Sequence, residues 1–187
     1  EKPGTVKLTY WPTQTPKNAH MVEATTKAAN AAVAHLVLKN LEPGTSYSYS
    51  ISVDDKWVEI EYPLKFETLE LWQHRTKPPD FTMLTGSCHY ANEPEMDRAG
   101  EPYGSESDIF NVMADQKPDM MLWLGDNTYL REPDWDSRSG FIHRYTHTRS
   151  EERLQRFLAA CPHYAIWDDH DFGPNDANGS FIHKDWS

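Results

Sequence analysis

The stretch Asp119-Met120-Met121-Leu122-Trp123-Leu124-Gly125-Asp126-Asn127-Thr128-Tyr129 decides how this chain is read. Met120–Leu124 is a short apolar run closed by a glycine, the pattern of a strand in a parallel sheet with both faces buried. Gly125 permits a sharp turn and leaves Asp126 just past the strand's carboxyl end, the rim where ligands bind in open α/β sheets. Tyr129, three residues on, can return to the same spot. The pattern recurs in HYAIWDDHDFGPND, His163 to Asp176, where the apolar Tyr164–Trp167 runs into Asp168, Asp169, His170 and Asp171. Two strands that both end in anionic, ligand-type side chains read as two walls of a metal site.

Around this stretch the chain alternates strand and helix from Phe81 onward, which predicts an α/β layer. FTMLTGSC (Phe81–Cys88) is the first strand. Ser107–Lys117 is a helix whose apolar stripe is Ile109, Phe110, Val112 and Met113, stopped by Pro118. Helical segments are predicted over Gly140–His147 and Thr148–Cys161, with Thr148 and Glu151 as a capping box. Crossovers of one hand set the three strands parallel, so that Cys88, Asp126, Tyr129, Asp168, Asp169, His170 and Asn175 gather at one rim. The acidic run Glu93–Asp108 lacks the D-x-D-x-D-G spacing of a calcium loop and reads as a solvated loop over that rim.

The first seventy residues speak β. Val6–Trp11, His20–Thr26, Ala31–Leu41, Ser46–Val53 and Leu64–Leu69 are short, β-rich and separated by turn signals, as in a sandwich. Leu41-Glu42-Pro43-Gly44-Thr45-Ser46-Tyr47 resembles the corner of fibronectin type III domains, in which a tyrosine hydroxyl bonds back to the upstream backbone. Such a domain has seven strands and five are read, so the chain is expected to lack the opening strand or two. The polar, proline-bearing residues 71–80 read as a linker.

Composition narrows the partners. Twenty-nine acidic against 18 basic residues give a formal charge of −11, which argues against nucleic acid or an anionic membrane surface and suits a protein that gathers cations. No apolar run approaches the roughly 18 residues that span a bilayer. Cys88 and Cys161, the two cysteines, are too few for a disulfide scaffold. At the rim, adjacent carboxylates repel unless a cation neutralises them. A thiolate and a phenolate beside carboxylates suit a highly charged transition metal such as ferric iron, while carboxylate and amide oxygens suit calcium, magnesium or manganese. His170 could protonate a leaving group. The other histidines have no ligand spacing and read as solvated or structural.

The ordered motifs GSC, GDNTY and WDDHD resemble those of PhoD-type alkaline phosphatases and phosphodiesterases, members of the calcineurin-like metallophosphoesterases, whose usual N-terminal companion is fibronectin-III-like. The resemblance implies a β-sandwich of the fibronectin III/Ig kind over 1–70, then part of an α/β domain of the α/β/β/α metallophosphoesterase kind over 81–187. It implies a metal-dependent phosphoesterase that attacks small phosphate esters with a metal-bound hydroxide, using Fe3+ with Ca2+, or Zn2+, Mn2+ or Mg2+. Cys88 and Tyr129 would ligate iron, and Asp126 would bridge the metals. Asp169 would take the asparagine's place in the superfamily's N-H-E/D motif. His170 would contact the phosphate or donate the proton, and Asp168 would be a ligand or orienter. A periplasmic, secreted or cell-surface location follows from the same resemblance. The family's opening D-x-H is absent here, and its later histidine and aspartate ligands are not in the sequence. The chain is therefore expected to be an internal fragment, inactive alone. The competing reading is a non-catalytic binding module with a structural cation.

Overall fold

Period-two alternation gives the first unit its strands: β1 (Thr5–Pro12), β2 (His20–Thr25), β3 (Ser46–Val53), β4 (Lys56–Trp57) and β5 (Lys65–Glu67). In this computed structural model, which describes residues 3–97, 100 and 108–186, the chain divides into two units, Glu1–Asp80 and Phe81–Ser187. The first holds one antiparallel sheet in the order β2-β1-β3, with β4 and β5 both paired to β3. Tyr10 and Tyr47 are its buried aromatics, and Phe66 stacks on Tyr47 at 5.2 Å. The amide of Glu42 donates to the Tyr47 hydroxyl at 2.9 Å, the bond back to the upstream backbone that such a corner requires.

Two features of this unit depart from the sequence reading. Strand β4 went unread because it is two residues long. It follows a hairpin turn at Asp54 and Asp55, both at positive φ (48° and 62°), the geometry that matches strand twist. Ala31–Leu41, in contrast, is not a strand. A 3-10 turn at Ala28–Asn30 leads into Ala31 and Ala32, both left-handed. Beyond them half-buried Ala34, Leu36 and Leu38 alternate with exposed Val33, His35 and Val37. The alternation is genuine, but a strand also needs a ladder, and this segment pairs with no described strand.

In the second unit β6 (Met83–Gly86), β7 (Met120–Leu124) and β8 (His163–Ile166) form a parallel sheet with β7 central. Register sets Gly86 beside Trp123 and Leu124 beside Ile166, so all three chains leave at one rim. Among the described residues three α-helices join them: α1 (Ile109–Asp115), α2 (Arg138–Arg149) and α3 (Glu152–Leu158). Lys117 at φ 50°, with Pro118 behind it, terminates α1. The core is Met121 and Trp123 of β7 packed on Ala114, Leu154 and Phe157, with Leu84, Phe110 and Met113 around them. Burying each large side chain contributes about 1.5–3 kcal/mol. Only this face is covered among the described residues. On the other, Met83, Leu124, Tyr164 and Ile166 are exposed, against the expectation of burial on both sides.

The helix boundaries also differ. Thr148 does not cap α3; it lies inside α2, fully buried, its hydroxyl 2.6 Å from that of Thr128. Tertiary burial overrode the local capping pattern. Ser137 caps α2 instead, accepting from the amide of Gly140 at 3.0 Å. In the described part of the acidic run Glu95 and Asp108 are exposed, but Glu93 and Asp97 are paired. Glu93 pairs with Arg144 (2.9 Å) and His143 (2.7 Å), and Asp97 with Arg131 (2.6 Å). Residues 98–99 and 101–107 of that run lie outside the described residues. Among the described residues no helix is long and apolar enough to cross a membrane.

Candidate metal centre

The turn after β7 presents the first site residue. Gly125 takes φ 96° and Asp126 φ 50°, and a Cβ on Gly125 would lie 2.7 Å from that of Asp168. Only glycine lets the two rim turns come this close. The turn after β6 is stitched on as well: the amide of Cys88 donates to the Gly125 carbonyl (3.3 Å) and that of His89 to the Asp126 carbonyl (2.9 Å).

These contacts bring Asp126, Asp169 and His170 together, with one ligand atom from each within 4.8 Å of the others. Tyr129 donates to Oδ2 of Asp126 at 2.9 Å, and the Cys88 thiol lies 3.6 Å from the same oxygen. Asp126 therefore faces two sets of donors, Cys88 with Tyr129 and Asp169 with His170. The Tyr129 ring packs 4.4 Å from that of His170. Burial, together with Cys88 and Asp126 beside it, holds the Tyr129 phenol far above its ordinary range, so its hydroxyl keeps its proton when no cation is present.

The remaining sequence candidates are placed differently. Asp168 stands outside the group of three. Its carboxylate caps the 3-10 turn Asp169–Asp171, accepting from the amide of Asp169 at 2.9 Å. Asn175 is exposed and turns its amide to Asp176 (2.7 Å), while the amide of Asp176 donates to Asp169. Cys161 borders the core, and both cysteines are free thiols.

Asp171, which the sequence counts among the anionic, ligand-type side chains, has a different task. It is fully buried and accepts from the amides of Asn127 (2.7 Å), Thr128 (3.2 Å) and Asp168 (2.9 Å), and from the Asn127 side chain (3.1 Å). Burial raises its carboxyl above the usual range despite these donors. It joins the turn that carries Asp126 to the turn that carries Asp169 and His170. No local pattern announces the join, because the donors of the other turn, Asn127 and Thr128, lie 44 and 43 residues away.

The set fits a cation. Oδ1 of Asp126 and Nδ1 of His170 are buried and have no hydrogen-bond partner among the described residues, and a native site rarely leaves such atoms unsatisfied. A cation could satisfy the anionic oxygen, and a cation or a proton the imidazole. Asp169 adds a second carboxylate, and Cys88 and Tyr129 add softer donors on the other side of Asp126.

No family model matches the chain, and no curated protein does. Among solved structures the chain is similar to one titled "Structure of PhoD", with a TM-score of 0.70 and 21% identity over 95% of this chain and 34% of that one. The chain thus spans about a third of that protein's length, and a likeness at this identity shows the fold alone. The sensor domain of the anti-sigma factor RsgI4 from Pseudobacteroides cellulosolvens matches 42% of this chain at a TM-score of 0.24, too low to carry an argument.

Proposed function

We propose that this chain carries part of the cation-binding centre of a PhoD-like phosphoesterase acting on small phosphate esters. The observation that supports the reading most is the meeting of Asp126, Asp169 and His170 at the ends of two neighbouring parallel strands, on a fold similar to that of PhoD. In this reading residues 81–187 belong to a metallophosphoesterase-type domain. Residues 1–70 are a fibronectin-III-like β unit, a view supported by the Tyr47–Glu42 corner, and 71–80 link the two. Cys88 and Tyr129 hold ferric iron with Asp126; Asp126 and Asp169 hold calcium or another divalent ion.

When bound, the cations supply Lewis-acid polarisation of phosphoryl oxygens and acidify water. The chain's own residues do the rest. Asp126, fixed by the Cys88 and His89 turn on one side and by Asp171 through Asn127 on the other, keeps its carboxylate aimed at both donor sets. His170, packed against the Tyr129 ring, donates a proton to the departing ester oxygen. Asp168 caps the turn and Asp171 clasps it, so Asp169 and His170 are presented without rotamer search.

Hydrolysis of p-nitrophenyl phosphate and bis(p-nitrophenyl) phosphate by the intact protein, supplied with iron and calcium, tests this. Asp126→Asn is expected to abolish turnover. His170→Ala is expected to lose about 10²–10⁴-fold in rate while retaining its cations. Cation uptake without hydrolysis in the wild type would favour the non-catalytic module, and loss of cation in His170→Ala would make His170 a ligand.

A further inference from the structure

His89 follows Cys88 directly, yet its imidazole packs among the core aromatics, edge-on to Phe110 at 4.9 Å and 6.0 Å from Trp123. There its Nε2 meets Oε2 of Glu151 at 2.9 Å, with side-chain exposures of 9% and 16%. Glu151 stands at the N-terminus of α3 and holds Arg153 through its other oxygen at 2.8 Å. A carboxylate only accepts, so Nε2 carries the proton and donates. Nδ1 is then buried with no hydrogen-bond partner among the described residues. A core position filled this way is costlier than one filled by an apolar ring, so the pair calls for a role other than packing.

We infer that His89 and Glu151 are a positioning pair that holds the Cys88 turn in ligand geometry; this rests on the reading of Cys88 and Asp126 as cation ligands. Cys88 sits at φ 61°, a left-handed conformation that a residue with a Cβ leaves unless its neighbours over-determine it. The constraint comes from both sides. Upstream, β6 fixes the chain through Gly86 in the ladder with β7. Downstream, the His89 amide is bonded to the Asp126 carbonyl and its ring is anchored to α3 through Glu151. Release of that ring frees Cys88 to relax to negative φ, which swings the thiol away from Oδ2 of Asp126, now 3.6 Å distant. Outer partners that orient ligands in this manner commonly change metal affinity by about 10–100-fold when removed.

Cobalt(II) titration of the full chain tests the pair, with affinity read by calorimetry and Cys88 ligation by the thiolate-to-cobalt charge-transfer band. His89→Phe keeps the ring packing and removes the donor; Glu151→Ala removes the acceptor. Both are expected to weaken binding about 10–100-fold and to lose most of the band. Glu151→Gln retains an acceptor and His89→Gln a donor, and each is expected to restore affinity and band. Should His89→Phe misfold by circular dichroism, the Glu151→Ala and Glu151→Gln comparison decides. Wild-type affinity and band in Glu151→Ala, with only the thermal midpoint lowered, would overturn the proposal and leave the pair a packing feature. Unchanged binding in Asp126→Asn and Cys88→Ser would instead overturn the metal-centre reading beneath it, and the pair's role with it.

Discussion

The backbone amide of Asn127 donates to the carboxylate of Asp171 at 2.7 Å across 44 residues of sequence. That single buried side chain also holds the amides of Thr128 and Asp168, so it closes the β7 turn onto the β8 turn. Asp171→Ala leaves the buried amides of Asn127 and Thr128, and the partly buried amide of Asp168, without an acceptor. It is expected to cost about 3 kcal/mol or more, read from the urea midpoint at unchanged m-value. A loss within about 0.5 kcal/mol, the range of surface substitutions, would show that the clasp is dispensable.

Gly125→Ala adds a methyl group 2.7 Å from the Cβ of Asp168 at a φ of 96°. The clash is against a second turn held by its own cap and cannot be relieved by a rotamer change. The variant is expected to lose about 2 kcal/mol or more and to bind cations more weakly. Gly179→Ala, where nothing lies within 4 Å, is the control and is expected to be near neutral.

Thr128 and Thr148 share one buried hydrogen bond of 2.6 Å between hydroxyls. Thr128→Val strands the hydroxyl of Thr148, at an expected cost of about 1–3 kcal/mol. Thr128→Val with Thr148→Val removes both partners and is expected to be less destabilised than the sum of the two singles. Strict additivity across the double-mutant cycle would mean that the two hydroxyls do not depend on each other.

His163 makes the second unit acid-sensitive. The indole of Trp123 only donates, so Nδ1 of His163, at 3.0 Å, must accept, and Nε2 donates to the Phe157 carbonyl at 3.1 Å. Burial lowers the imidazole's pKa below 6.5. A depressed folded pKa contributes stability that is fully present above the unfolded value and lost as pH falls through the folded one. The thermal midpoint of the wild type relative to His163→Gln is expected to be level above about pH 7.5 and to decline below about pH 6.5. Parallel curves for the two proteins across that window would remove His163 as the cause.

Much of the second unit was legible because its signals are local. The apolar run before Gly125 marks the central strand, and the carboxylates after it and after Ile166 fall where parallel strands end. Ala31–Leu41 shows the limit of such signals: its side chains alternate, but no ladder partner can be read from alternation. Thr148 carries a sound capping pattern, and only the approach of Thr128 reveals that it is buried inside α2. The joining role of Asp171 and the His89–Glu151 pair were illegible for the same reason, since each acts through a partner 44 or 62 residues away.

The central claim is that Asp126 holds a cation together with Asp169 or His170. Anomalous diffraction from crystals of the protein grown with iron or cobalt tests it most directly. The expected result is a peak about 2.0–2.6 Å from an Asp126 oxygen, at bonding distance from Asp169 or His170 as well, that vanishes in Asp126→Asn. A peak elsewhere, or none while Tyr129 still donates to Asp126, would contradict the account.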